Sequence, residues 1–192
     1  MSWKKEISQI KLREKLAKQQ GGSEAVKVQH DKGRLTLRER IDLLLDKDSF
    51  DEIGKVAGGA EYDDEGNLLS LTPANFILGF GKIEGQDVIV GGEDFTVKGG
   101  SPNAAGLRKS VYTEDLAVKH KFPLVRLHEG GGGSVAGPSK EKKGYGGDPV
   151  FARSRFISVA QTLKEVPVVS AALGPVAGLP ASRFVGSHFR IM

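Results

Sequence analysis

Two short segments carry the residue types from which a reaction site can be built out of backbone: Gly130-Gly131-Gly132-Gly133-Ser134 and Gly174-Pro175-Val176-Ala177-Gly178. Glycine lets a main-chain N–H approach a ligand with no Cβ in the way. Each segment directly follows an apolar run of strand type, and in open α/β folds ligands sit at the carboxyl ends of parallel strands. If the two loops converge, two N–H donors point at one developing negative charge, which is an oxyanion hole. Loss of one such donor typically costs on the order of 3 kcal/mol of transition-state stabilisation. The same glycines serve equally well as turns between a strand and a helix, and the four-glycine run alone does not decide between the two.

Other chemistries fit less well. No Gly-Lys-Ser/Thr follows either loop at the spacing of a P-loop. Gly131, Gly133 and Ala136 satisfy a G-x-G-x-x-A pattern, but the next helical stretch begins about a dozen residues later rather than at once, as a dinucleotide fingerprint requires. Ser134 follows the glycines and His128 lies nearby, yet a nucleophile elbow needs glycine at the position of Ala136. His128, at a strand end, reads as structural. Glu129 and Asp94 are possible acid or base groups with no partner fixed by spacing, and they read as solvated loop carboxylates.

Composition narrows the class. At 192 residues the chain is long enough for one domain with a real core, burying roughly 70% of its unfolded surface. Its 39% hydrophobic and 27% charged residues are a globular balance. The 26 glycines are about twice the usual share of roughly 7% and fall in clusters, not in a repeat. With no cysteine, disulfides, thiolate metal sites and a cysteine nucleophile are excluded. The four histidines, His30, His120, His128 and His188, are too scattered to suggest a metal. No apolar run reaches the roughly 20 residues of a membrane helix, and the Lys-rich start lacks the apolar core of a signal peptide; the expected location is cytoplasmic. The net charge of +4 comes from basic residues that alternate with acidic ones, without the basic stripe and interleaved aromatics of a nucleic-acid binder.

The elements that must position the glycines follow from periodicity. Residues 4–19 form a charged helix with Ile7, Ile10 and Leu16 on a thin stripe, stopped by Gly21 and Gly22. Thr36 and Glu39 make a capping box for a helix carrying Leu37, Ile41, Leu44 and Leu45. From Phe50 to Gly92 short β-like runs alternate with turns, among them 75–80 and 87–90, joined antiparallel through Glu84-Gly85-Gln86. Ser101-Pro102 supplies an N-cap and first-turn proline for a helix to about His120, with Ala104, Leu107, Val111 and Val118 on one side. Then come a buried strand, 124–127, the first glycine loop, 130–147, and a helix capped by Asp148-Pro149 that carries Phe151, Phe156, Val159 and Leu163. A strand, 166–173, leads to the second glycine loop, 174–178, and residues 188–192 begin a further strand. Strands alternating with helices argue for an α/β fold with parallel pairing.

At this point the order of motifs resembles a known family. Residues 35–46, Leu-Thr-Leu-Arg-Glu-Arg-Ile-Asp-Leu-Leu-Leu-Asp, followed by Ser49-Phe50, resemble the entry motif of the carboxyltransferase (beta) subunits of biotin-dependent acyl-CoA carboxylases of the propionyl-CoA and methylcrotonoyl-CoA type, related also to the α subunit of sodium-pump decarboxylases. Residues 94–101 are similar to the family's D-F-T-V-x-G-G-S run. The loop at Gly130-Gly131-Gly132 stands where the family has D-S-G-G-A-R, and residues 174–178 resemble its G-P-C-A-G-G. The resemblance implies a crotonase-like (ClpP/crotonase) spiral of β-β-α units, incomplete at its C-terminal end, over residues 35–192, with residues 1–34 as an N-terminal helical extension.

It also implies the chemistry: transfer of a carboxyl group between carboxybiotin and the α-carbon of an acyl-CoA through an oxyanion-stabilised enolate. The catalytic residues carried over are Gly131 and Gly132 in the first loop and Ala177 and Gly178 in the second; Lys98, Gly99, Gly100 and Ser101 are carried over as cofactor-binding. No side chain is needed as nucleophile, since the biotin takes the α-proton once its carboxyl group has left. The implied cofactor is biotin on a partner protein, a biotin carboxyl carrier or biotin carboxylase subunit, with a coenzyme A thioester as substrate. The mild positive charge suits that polyanion. Further implied partners are a chain or segment supplying a second crotonase-like domain, and further copies in a homo-oligomer.

The sequence departs from the family pattern at His128-Glu129, at Gly133 and at Leu179-Pro180. Family members are much longer, so the chain is expected to be truncated and not a self-sufficient monomer, its last apolar residues pairing elsewhere. Two other readings of the same residues are a non-catalytic acyl-CoA-binding or assembly subunit and a crotonase-type hydrolase or hydratase.

Overall fold

The computed structural model describes residues 3–132 and 155–192. Gly133, Ser134, Ala136, the Asp148-Pro149 cap and Phe151 lie outside the described residues.

Two helices come first, α1 (Lys4–Ala17) and α2 (Ser23–Asp31). α1 ends before the glycine pair, with Gln20 already at φ 57°, and Gly22, at φ 93°, starts α2. The third helix, α3 (Leu37–Leu44), begins as its sequence signals: the Thr36 side chain accepts from the Glu39 N–H, and the Glu39 carboxylate accepts from the Thr36 N–H at 2.7 Å.

Among the described residues the main sheet has six strands in the order β1 (Asp51–Glu52), β4 (Phe76–Ile83), β5 (Gln86–Glu93), β6 (Leu124–Gly130), β7 (Val168–Val176) and β8 (Phe189–Ile191). β4 and β5 form the expected antiparallel hairpin; β5, β6, β7 and β8 run parallel. A separate hairpin, β2 (Gly58–Tyr62) with β3 (Leu68–Pro73), forms a second sheet. Three further helices supply the crossovers: α4 (Ala104–His120) between β5 and β6, α5 (Arg155–Glu165) before β7, and α6 (Leu179–Val185) between β7 and β8.

Because successive side chains in a strand point to opposite faces, the four strands β4 to β7 feed two cores. Ile77, Val88, Val90, Leu127 and Ala171 pack with Leu37, Ile41 and Leu45 around α3. Phe76, Leu78, Ile89, Leu124 and Val168 pack with Leu116, Ala117 and Val166. Burial on both faces is the condition under which parallel strands are found.

Three details differ from the sequence reading. The cap of α4 is Asn103, whose Oδ1 accepts from the Gly106 N–H at 2.7 Å, and Ser101-Pro102 precede the helix, with Ser101 in extended backbone. The buried side of α4 is also rotated: Leu107 is inside, but its companions are Gly106, Lys109, Ser110, Thr113, Glu114, Leu116 and Ala117 rather than Val111 and Val118. Small residues let the helix approach the sheet, and the buried charges find partners remote in sequence. Third, β7 runs on through Gly174, Pro175 and Val176, so only Ala177 and Gly178 remain as loop.

Lys109 is 8% exposed, with Nζ 3.3 Å from the Gly54 carbonyl. Burial depresses its ammonium to about 8 from 10.5, against the pull of Glu52. Between those values the unfolded chain binds more protons than the folded one, so this group makes stability rise with pH across that window. Lys109→Met is expected to remove that rise, seen as a flatter dependence of the urea midpoint on pH between about 8 and 10.5.

Candidate active site

The site forms where β6 and β7 end. β6 and β7 keep regular register from Leu124↔Val168 to His128↔Ala172 and then slip, so that Gly130 faces Val176. The extra residues of β7 pass over the side chain of Glu129. A Cβ on Gly174 would lie 2.5 Å from Glu129 Oε1, which explains the glycine there. After the slip the two chains rejoin, with the Ala177 N–H donating to the Gly130 carbonyl at 3.0 Å.

The next residues bring the two loops together. A Cβ on Gly132 would stand 3.1 Å from the carbonyl of Ala177 and 3.2 Å from the nitrogen of Gly178, so Gly132 lies directly against the Ala177–Gly178 peptide. Gly132 has φ 76° and Gly178 has φ 63° with ψ −129°, backbone that side chains with a Cβ rarely adopt. Of the four residues singled out, Gly131 and Ala177 have their N–H groups engaged, the first with the Gly99 carbonyl at 2.9 Å and the second with Gly130. The N–H groups of Gly132 and Gly178 form no hydrogen bond among the described residues.

Lys98, Gly99, Gly100 and Ser101 form a strap beneath the first loop. Lys98–Gly100 is a single 3-10 turn in which all three residues have positive φ, at 53°, 61° and 67°. The strap lies so close that a Cβ on Gly100 would sit 2.5 Å from the Glu129 carbonyl and 2.8 Å from the Gly130 Cα. Its carbonyl at Gly99 fixes the first loop by accepting from Gly131. Lys98 itself is exposed and, with Arg108, borders a cleft of ≈ 390 Å³ between the β2–β3 hairpin and the start of α4.

The acid–base candidates are not solvated. Glu129 is 1% exposed and accepts from Gln29 Nε2 at 2.9 Å, from Arg40 at 2.6 Å and from Arg34 at 3.4 Å. Asp94 is 2% exposed and accepts from the N–H and hydroxyl of Thr96 at 3.0 and 2.6 Å; burial raises its pKa above the ordinary carboxyl value. Both readings as loop carboxylates in water are thereby corrected: each lies where chain segments from elsewhere cover it. His128 is buried, with Nδ1 3.0 Å from Glu93 Oε2, Nε2 3.4 Å from Ser170 Oγ and its ring edge-on to Phe184.

Sequence reasoning passed over Glu93, Glu114, Arg126 and Arg183, all buried. Arg126 donates to Glu114 Oε1 through Nη2 at 2.7 Å, and Arg183 to the same oxygen through Nε at 2.7 Å. Burial lowers the Arg126 guanidinium to about 10, against the pull of Glu114. One signal for this was present: an arginine inside the apolar run Leu124–Leu127 must have a buried partner. Among the described residues no group of three metal-ligating side chains occurs, and no helix is long and apolar enough to cross a membrane.

The mostly parallel sheet, its parallel strands joined by helical crossovers, has the crotonase-like fold. The chain matches the carboxyl transferase domain over residues 28–192 and belongs to that family. It is 33% identical over 174 residues to the propionyl-CoA carboxylase beta chain of Roseobacter denitrificans, covering 90% of this chain and 32% of that one. To the biotin-dependent acetyl-/propionyl-coenzyme A carboxylase beta5 subunit of Mycobacterium tuberculosis it is 38% identical over 116 residues, 59% of this chain and 21% of the relative. The hexameric transcarboxylase 12S core, solved with methylmalonyl-coenzyme A bound, superposes with a TM-score of 0.74 over 100% of this chain and 36% of its own, at 24% identity. The chain thus spans between about a fifth and about a third of the length of these relatives.

Proposed function

We propose that this chain is the acyl-CoA side of a biotin-dependent acyl-CoA carboxyltransferase, with residues 35–192 as the N-terminal part of the transferase domain and residues 1–34 as its helical extension. The observation that supports the reading is the apposition of Gly132 with the Ala177–Gly178 peptide, where neither the Gly132 nor the Gly178 N–H has a hydrogen-bond partner among the described residues. In this reading the thioester oxygen accepts from Gly132 and Gly178, and the negative charge of the α-carbanion delocalises onto that oxygen. Gly131 and Ala177 hold the loops, and the strap Lys98–Ser101 supports the first of them. Lys98 and Arg108 line room for the phosphates of coenzyme A.

The described residues fit this chemistry in a second way. Glu129, Asp94, Glu93 and Glu114 each accept hydrogen bonds that tie them into the protein, and a transferase whose base arrives with its cofactor needs no carboxylate in that role. Carboxybiotin, when bound, supplies the carboxyl group and, after its departure, the acceptor for the α-proton. A biotin carrier partner, a second crotonase-like half from another chain or segment, a homo-oligomer and a cytoplasmic location complete the proposal. The exposed Phe189 and Ile191 on the edge strand β8 offer an apolar surface for such contacts.

Calorimetry on the assembled protein is expected to show short-chain acyl-CoA binding that free CoA competes away, and labelled carboxyl exchange with carboxybiotin should follow. Binding without exchange would make the chain a non-catalytic subunit; thioester turnover by water would make it a hydrolase; no binding at all would end the reading.

A further inference from the structure

The cluster of Glu114, Arg126 and Arg183 takes no part in the chemistry proposed above, and its composition is costly for a purely structural contact. Glu114, 1% exposed, faces two arginines that are 3% and 2% exposed, and the buried Glu93 supplies the second negative charge that acts on Arg126. Glu114 Oε2 and Arg183 Nη2 are buried without a hydrogen-bond partner among the described residues. Apolar side chains of similar volume often give equal or greater stability at such a place. What charged hydrogen bonds add is a fixed direction and distance.

Each member of the cluster belongs to the stem of a different part of the site. Arg126 lies on β6, which runs into Gly131 and Gly132. Glu114 lies on α4, which follows the Lys98–Ser101 strap. Arg183 lies on α6, which begins at Gly178. α6 has only 7 residues, too few to hold itself without tertiary support. Its fixings converge on Arg183: Nε donates to Glu114 at 2.7 Å, and its carbonyl accepts from Ser187 Oγ at 2.9 Å and from Arg126 Nη1 at 3.5 Å. From there the way back to the site is one turn, since the N–H and hydroxyl of Ser182 both donate to the Gly178 carbonyl, at 3.0 and 3.3 Å.

We infer that Arg183, held by Glu114 and Arg126, is a positioning residue that sets the Gly178 N–H relative to Gly132. The inference rests on the oxyanion reading above. Arg183→Met tests it with the fold preserved, because it leaves a neutral Glu114–Arg126 pair. Arg183→Lys keeps the charge and loses the Nε bond. In the full-length assembled protein both variants are expected to keep KM within about threefold while kcat falls on the order of 100-fold, as for a misplacement of about 1 Å. The infrared carbonyl stretch of a bound ¹³C-labelled acyl-CoA thioester, shifted to lower frequency by an oxyanion hole, should move back toward its free value. Without ligand, the Ser182 amide should exchange faster while amides of β6 and β7 keep wild-type rates. Wild-type kcat and carbonyl frequency in either folded variant would overturn the inference, as would unchanged Ser182 exchange. If the wild-type protein binds no acyl-CoA, it is the functional reading that fails, and Ser182 exchange alone then decides whether Arg183 fixes the start of α6.

Discussion

Gly178→Pro is expected to lower carboxyl transfer by the assembled protein at least 100- to 1,000-fold, the range for loss of one oxyanion donor, with the far-ultraviolet circular dichroism little changed. Proline removes the Gly178 N–H, whose nitrogen lies against Gly132, and holds φ near −65°, whereas Gly178 has φ 63°. The peptide must therefore turn as well as lose its donor. Gly178→Ala keeps the donor and keeps only the conformational penalty, so it should fall between proline and wild type. Gly132→Pro should match Gly178→Pro, since Gly132 has φ 76° and lies against the same peptide. The expected kinetic pattern is a fall in kcat and kcat/KM together, as for an interaction made in the transition state. Wild-type kinetics in both proline variants would show that these N–H groups do not face the reacting oxygen.

Glu129→Ala should have the largest effect on stability, lowering the unfolding free energy by about 3–5 kcal/mol, as for a buried ion pair broken from one side. The carboxylate is 1% exposed and joins Gln29 and Arg34, near α2, and Arg40 on α3 to the end of β6. Removing it leaves Arg40, whose side chain is 9% exposed, with the Leu173 carbonyl as its remaining acceptor among the described residues. The change also opens space under Gly174, whose missing Cβ exists to admit this side chain. Equilibrium urea unfolding measures the loss; a change of less than 1 kcal/mol would mean that Arg40 relaxes into solvent at little cost. Arg34→Ala is expected to be much milder, because that side chain is 36% exposed and its contact is long at 3.4 Å.

Local chemistry accounts for what the sequence by itself determined. The capping box at Thr36 and Glu39 and the turn Glu84-Gly85-Gln86 are made by neighbours in the chain, so their signals survive without any knowledge of the fold. The parallel strands 124–127 and 166–173 were legible because a strand buried on both faces is apolar at nearly every position. The two glycine segments were legible because few other residues tolerate positive φ at Gly132 and Gly178. Their order along the chain, together with the run 94–101, carried the family.

Only the tertiary structure decided which N–H groups of Gly131, Gly132, Ala177 and Gly178 are engaged among the described residues. The hydrogen bonds from Gly131 to Gly99 and from Ala177 to Gly130 join residues 32 and 47 positions apart in the chain, and nothing in local spacing encodes them. The same reason explains why Glu129 and Asp94 read as solvated and why the inward side of α4 was misplaced. Glu114 looks like a surface residue until Arg126 and Arg183, 12 and 69 residues away, are brought to it. Burial of a charge is a property of the partners that compensate it, and those partners are assembled by the sheet, not by the segment in which the charge stands.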